Sequence, residues 1–144
     1  MSRMPREQIA EAFLAALPHA RDLGMALVSV GEGTAALSMP WDEGLVGDPS
    51  TGVIHGGAVS ALIDTTCGAA VMSHPENGGD TATLNLRIDY MRAARPGEGL
   101  VARATCYHVT RNVAFVRAEA LDGDGATPVA TAAAAFTFTR RERV

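Results

Sequence analysis

Between His55 and His74 the chain carries a single charged residue, Asp64. Val59, Ala61, Leu62 and Ile63 precede it, and Cys67, Ala69, Ala70, Val71 and Met72 follow it. A carboxylate in such surroundings costs free energy unless something pairs with it, and no Lys or Arg stands within the run. Two readings follow. Either an arginine from elsewhere, such as Arg87 or Arg103, neutralises the acid, or the acid serves chemistry as a nucleophile or as a general base for water. Upstream of Asp64 stand His55, Gly56 and Gly57. A helix starting there offers unpaired N–H groups and the positive end of its dipole, both suited to a developing oxyanion. Glycine at such a start lets a substrate approach the backbone closely.

The element that must position these groups is the run Ile54–His74. It is too long and too apolar for a half-exposed helix and lacks β-branched dominance, so it reads as a helix wrapped by protein on most sides. Its glycines, central acid and polar flanks exclude a membrane span. Upstream, residues 1–20 hold a short amphipathic helix, with Pro5 in its first turn and Ile9, Phe13, Leu14 and Leu17 at helical spacing up to Pro18. Gly24–Val30 and Thr34–Met39 read as a hairpin, and Trp41–Val53 as an irregular loop.

After a polar loop at Pro75–Asp80 the period changes to two. Thr81–Met91, Leu100–Val109, Val113–Leu121 and Val129–Thr139 are strands, joined by turns at Pro96–Gly99, Thr110–Asn112 and Asp122–Gly125. The last strand is rich in alanine, which permits close approach of a helix. The tail, Arg140–Val144, is charged and expected to fray. A single antiparallel sheet must bury its apolar face, and only the 54–74 helix is apolar enough to fill it. The expectation is an α+β fold in one domain, 1–144, with the sheet curled around that helix.

The net charge of −4 argues against nucleic acid as a partner. Cys67 and Cys106 sit in apolar stretches and read as buried free thiols of a reducing compartment. With no signal-like N-terminus, a cytoplasmic protein away from membranes is expected. No two of the four histidines share helical spacing with an acid, so no metal is expected.

A long helix inside an antiparallel sheet, with His55-Gly56-Gly57 at its start and an acid at Asp64, resembles the hotdog fold and, more narrowly, the PaaI-type acyl-coenzyme A thioesterases. The matching residues are the loop Gly47–Gly52, then His55-Gly56-Gly57, Asp64, Thr83 and the stretch Ile88–Arg92. The resemblance implies hydrolysis of coenzyme A thioesters, with no cofactor beyond the coenzyme A of the substrate. It gives Gly56 the N–H that polarises the carbonyl, with Gly57 beside it in the substrate-binding set. Asp64 becomes nucleophile or general base, Thr83 a hydroxyl that orients carboxylate or water, and His55 a residue that positions the site. It places coenzyme A phosphate contacts near the Arg111-Asn112 turn, with Arg92 as a weaker candidate. Asp48 stands where the family often has asparagine. It is kept as a site candidate whose extra charge near Asp64 is expected to raise one of the two pKa values.

Each residue also has a plainer reading: N-capping for His55, strand propensity for Thr83, a solvated turn for Arg111 and Asn112, and core packing for Cys67. Gly56 and Asp64 are eight residues apart, roughly 12 Å along a helix. A carboxylate that far down the helix cannot attack a carbonyl held at its own N-terminus. Two helices antiparallel about a two-fold axis would bring Asp64 of one subunit to Gly56 of the other, which predicts a homodimer or a dimer of dimers. The runner-up functions are a hotdog enoyl-thioester hydratase, disfavoured by the Asp48 to His55 spacing, and a non-catalytic acyl-coenzyme A-binding protein. The acyl group is open; Val59, Ile63 and small alanines are expected to line part of its pocket.

Overall fold

The computed structural model describes residues 4–123 and 125–142. Met1 to Arg3, Asp124 of the expected 122–125 turn, and Arg143 and Val144 of the expected tail lie outside the described residues. The chain runs α1 (Arg6–Ala15), α2 (Pro18–Asp22), β1 (Ala26–Gly31), β2 (Thr34–Met39), a 3₁₀ turn (Glu43–Leu45), β3 (Val46–Asp48), β4 (Val53–Ile54), α3 (Gly56–Met72), β5 (Thr83–Tyr90), β6 (Leu100–Val109), β7 (Val113–Leu121) and β8 (Ala130–Thr137). Six strands form one antiparallel sheet in the order β1-β2-β6-β7-β8-β5, and β3 pairs with β4 in a separate small hairpin.

The hotdog architecture follows from where the alanines lie. Ala102, Ala104, Ala114, Ala118, Ala120, Ala130 and Ala134 are buried on the sheet. Side chains this small let α3 settle close, so that Leu62, Ile63, Cys67, Ala70 and Val71 lose all exposure. Of the residues expected to line the acyl pocket, Ile63 is wholly enclosed in the core, whereas Val59, almost fully buried, borders a cleft beside Gly56. Pro18 ends the first helix and opens a second at its N1 position, where a missing N–H costs nothing. The 41–53 segment is more ordered than its composition implied. It holds the 3₁₀ turn and the β3–β4 hairpin, and Trp41 Nε1 donates to the Gly52 carbonyl at 3.0 Å.

The beginning of the tail is held rather than frayed. Arg140 pairs with Glu76 at 3.1 Å, and the Arg141 N–H donates to the Glu76 carbonyl at 2.8 Å.

Strand β5 lies at the sheet edge and pairs only with β8 among the described residues. Its ladder shifts between Thr83 and Asn85, leaving Leu84 as an extra residue. Strict alternation would put Thr83 on the outer face with Arg87 and Asp89. The bulge instead returns Thr83 to the inner face that Leu86, Ile88 and Tyr90 share.

Beyond β5 the chain is fastened by a buried carboxylate. Arg92 donates from Nη1 and Nη2 to the two oxygens of Asp122 at 2.7 and 2.8 Å, and the Arg95 N–H adds a third bond at 3.0 Å. Hydrogen bonding from Arg92 outweighs the opposing effect of burial and holds the Asp122 carboxyl down at about 2. A carboxyl whose folded pKa lies below its unfolded value stabilises the fold above that unfolded value and loses the effect as pH falls through the folded one. Asp122→Asn should therefore lower the unfolding free energy by about 2–3 kcal/mol at neutral pH. Urea unfolding of both proteins should show the gap narrowing as pH drops from about 4 towards 2. Equal stability at neutral pH would contradict this role.

Candidate active site

Helix α3 begins at Gly56 with His55 as its N-cap. Histidine is an uncommon cap, but its Nδ1 accepts from the Gly57 N–H at 2.8 Å and so takes the place of a cap oxygen. The ring lies where a Cβ on residue 57 would sit, 2.9 Å from Nδ1, so Gly57 is fixed by that contact. The His55 N–H donates to the Leu45 carbonyl at 2.8 Å, tying the helix start to the 3₁₀ turn. At Gly56 the constraint differs. A Cβ there would meet only the Tyr90 ring at an ordinary 3.5 Å. Among the described residues the Gly56 N–H finds no acceptor, which leaves it as a donor at the positive end of α3.

Asp64 is partly exposed, two turns further along the helix. Thr83 Oγ1 donates to its Oδ1 at 2.7 Å. No ion pair involves Asp64 among the described residues. Arg87 turns instead to Asp89 at 3.4 Å on the outer face, and Arg103 stands on that same face with Arg117 and Glu119. The Thr83 hydroxyl orients this carboxylate, and its second oxygen has no partner among the described residues.

The other candidates divide by position. Arg111 and Asn112 top the exposed β6–β7 turn, and the Phe138 N–H donates to the Asn112 carbonyl at 2.8 Å. In register, Ala114 faces Phe136 and Phe136 faces Thr83, so this turn lies at the Thr83–Asp64 end of the sheet. Arg92 lies at the opposite end, with both Nη atoms engaged by Asp122.

Asp48 is engaged within its own loop. Its carboxylate takes the Ser50 hydroxyl at 2.6 Å and the Ser50 N–H at 3.0 Å, closing its own loop. The Ser50 bonds hold its pKa below the usual carboxylate value.

The sequence reading missed Ser60 and Tyr90. Tyr90 Oη and Ser60 Oγ lie 2.7 and 3.0 Å from the Gly56 carbonyl oxygen and 2.5 Å from each other. Alternation from Leu86 and Ile88 already puts Tyr90 on the inner face, and Ser60 stands one helical turn from both Gly56 and Asp64. Those spacings were the available signal. Beside Tyr90 and Gly56 a cleft of about 300 Å³ is walled by Val53, Val59, Met91 and Val129. A groove of about 310 Å³ on the other side holds His19, Leu45 and His55.

Comparison with known proteins gives a consistent result. A family model described as the thioesterase superfamily matches residues 51–129, a span that includes Gly56, Asp64 and Thr83. A Pseudomonas aeruginosa protein of known structure is 38% identical, with TM-score 0.83 over 92% of this chain and 98% of its own. A single-residue variant of the phenylacetic acid degradation protein PaaI of Thermus thermophilus is 25% identical, with TM-score 0.75 over 85% and 99%. Escherichia coli PaaI, from the phenylacetic acid degradation operon, shares the fold at 22% identity and TM-score 0.81 over 92% of each chain. None of the curated proteins compared with the chain matches it significantly.

Cys67 is one turn beyond Asp64 but has no part in an attack. Burial first, then the charge of Asp64, pushes its thiol up to about 12, and burial takes Cys106 to about 11. At pH 8 the thiolate fraction is then on the order of one in ten thousand for Cys67 and one in a thousand for Cys106. Native protein should leave an aromatic disulfide reagent almost unreacted over minutes and titrate two thiols once unfolded in denaturant. Rapid native labelling would contradict the buried placement of these thiols.

Proposed function

The chain belongs to the thioesterase superfamily as a hotdog protein of the PaaI type, and on that footing we propose that it hydrolyses acyl- or aryl-coenzyme A thioesters to the free acid and coenzyme A. The observation that carries the reading is the Asp64 carboxylate, oriented by Thr83 and unpaired by any cation among the described residues. As a general base it takes a proton from water while the water oxygen bonds to the thioester carbon. The Gly56 N–H receives the charge that builds on the carbonyl oxygen. The C–S bond then breaks, coenzyme A leaves as its thiolate and is reprotonated, and the acid remains. Acting instead as nucleophile, Asp64 would form an acyl anhydride that water opens to the same products. Coenzyme A enters only as part of the substrate, and no cofactor is required.

We place the site across a dimer. Eight residues of helix, roughly 12 Å, separate Gly56 from Asp64 within one chain. Leu84 and Tyr90 of the edge strand β5, with Met91 just beyond it, are exposed, a surface suited to a second copy. Two-fold pairing there would set Gly56 of one subunit against Asp64 of the other. Arg111 is assigned to a coenzyme A phosphate, with Asn112 beside it. Gly57 and His55 serve by forming the cap, Asp48 by closing the loop before it, and Arg92 by anchoring Asp122. The two unpaired cysteines suit a reducing, cytoplasmic setting.

Asp64→Asn keeps the size and the Thr83 contact but removes the charge. Thiol release from a panel of acyl and aryl coenzyme A thioesters should fall about a hundredfold or more in this variant, with folding retained. Equal turnover in variant and parent would remove Asp64 from the chemistry. Enoyl thioester consumed without thiol release would move the protein to the hydratases.

A further inference from the structure

We propose that Tyr90 is a positioning residue of this site, holding the first turn of α3 so that the Gly56 N–H stays aimed at the thioester carbonyl. The proposal rests on the thioesterase reading above. Helix α3 opens with two glycines, each about 1 kcal/mol less favourable in a helix than alanine, at the position where a fixed donor is required. Its cap is local, since His55 reaches only to Gly57. A frayed first turn would let the donor swing, and an oxyanion donor acts by being fixed before the charge appears.

The bonds around Gly56 supply what the glycines lack. On the upstream side the His55 N–H is fastened to the Leu45 carbonyl at 2.8 Å. On the downstream side the Gly56 carbonyl receives Tyr90 Oη at 2.7 Å and Ser60 Oγ at 3.0 Å. The two hydroxyls, 2.5 Å apart, bring two protons to three contacts. One proton therefore lies between the hydroxyls and the other reaches the Gly56 carbonyl. Whichever hydroxyl holds that second proton, Tyr90 is bonded to the helix start, directly or through Ser60. Ser60 belongs to α3 itself, whereas Tyr90 comes from β5, thirty-four residues from Gly56 in sequence. Tyr90 is thus the tie to the main sheet.

The same strand carries Thr83 at its other end, bonded to Asp64. One edge strand therefore grips α3 at the donor and at the carboxylate. In a two-fold dimer, Tyr90 of one subunit would border the site whose acid is steadied by Thr83 of the other.

Tyr90→Phe keeps the ring and deletes the tie. Two measurements on the full chain test it. Amide hydrogen exchange by NMR should become about tenfold faster at Gly57 and Ala58, whose N–H groups are bonded to the His55 ring and carbonyl, and stay unchanged in β6 and β7. Thioester hydrolysis should lose about tenfold in kcat with KM within twofold, because the Gly56 donor acts on the transition state. Ser60→Ala should be milder, since Tyr90 reaches the carbonyl unaided, and Ser60→Thr should restore the parent behaviour. Unchanged exchange at Gly57 and Ala58 in Tyr90→Phe would overturn the proposal. So would faster exchange with unchanged kcat in an active parent, or a rise in KM alone, which would make Tyr90 a substrate contact. A parent that hydrolyses no thioester, with exchange still accelerated in the variant, would leave the tie in place and overturn the reaction it is proposed to serve.

Discussion

The seam between α3 and β5 is the constraint on which the site depends. Over most of its length α3 rests on alanines and other buried apolar side chains, contacts that are strong in sum but direct few atoms. Along β5 the contacts are hydrogen bonds at 2.7 Å from Thr83 to Asp64 and from Tyr90 to the Gly56 carbonyl. Hydrogen bonds have direction, and these two fix the acid and the helix start relative to a single strand. Both require β5 to present Thr83 and Tyr90 on one face. The bulge at Leu84 makes that possible by correcting the parity of the strand.

The packing and the chemistry impose opposite demands on one helix. An all-round apolar helix is stable only when enclosed, and α3 is enclosed on its sheet side to the point that Leu62, Ile63 and Cys67 show no exposure. The hydrolytic role proposed for Asp64 needs access to water and substrate. Asp64 meets both demands by projecting along the edge of the seam, partly exposed and unpaired, while the same burial that surrounds the helix silences Cys67. In the proposed dimer, the exposed apolar groups of β5 would close that seam against a second subunit, where an incomplete site would find its other half.

The fold was largely legible because its signals are long and periodic. The strand limits Thr34–Met39, Leu100–Val109 and Val113–Leu121 could be read directly from alternation and turn residues. The enclosed helix followed from a long run with one charge. What failed was local. A bulge such as that at Leu84 adds a residue without changing composition, so the direction of Thr83 could not be derived from its period. The turn that Asp48 closes with the serine two residues on was likewise not anticipated. Arg140 and Arg141 looked like a solvated tail because their partners, Glu76 and Asn77, are more than sixty residues away. Tyr90 was overlooked because its hydrogen bond runs to a carbonyl, and carbonyls have no signature in sequence.

The central claim is that donor and acid of each site come from different subunits, and subunit mixing tests it most directly. Gly56→Pro removes the donor N–H at a helix position that tolerates proline, after a residue already extended at φ −59° and ψ 135°. Asp64→Asn removes the acid. Each variant alone should be nearly inactive. Unfolding and refolding the two together at equal amounts should restore about a quarter of the parental thioesterase activity, because half the dimers are mixed and each mixed dimer has one intact site. Failure of the mixture to exceed the separate variants, with mixed dimers shown to form, would place donor and acid in the same chain and contradict the account.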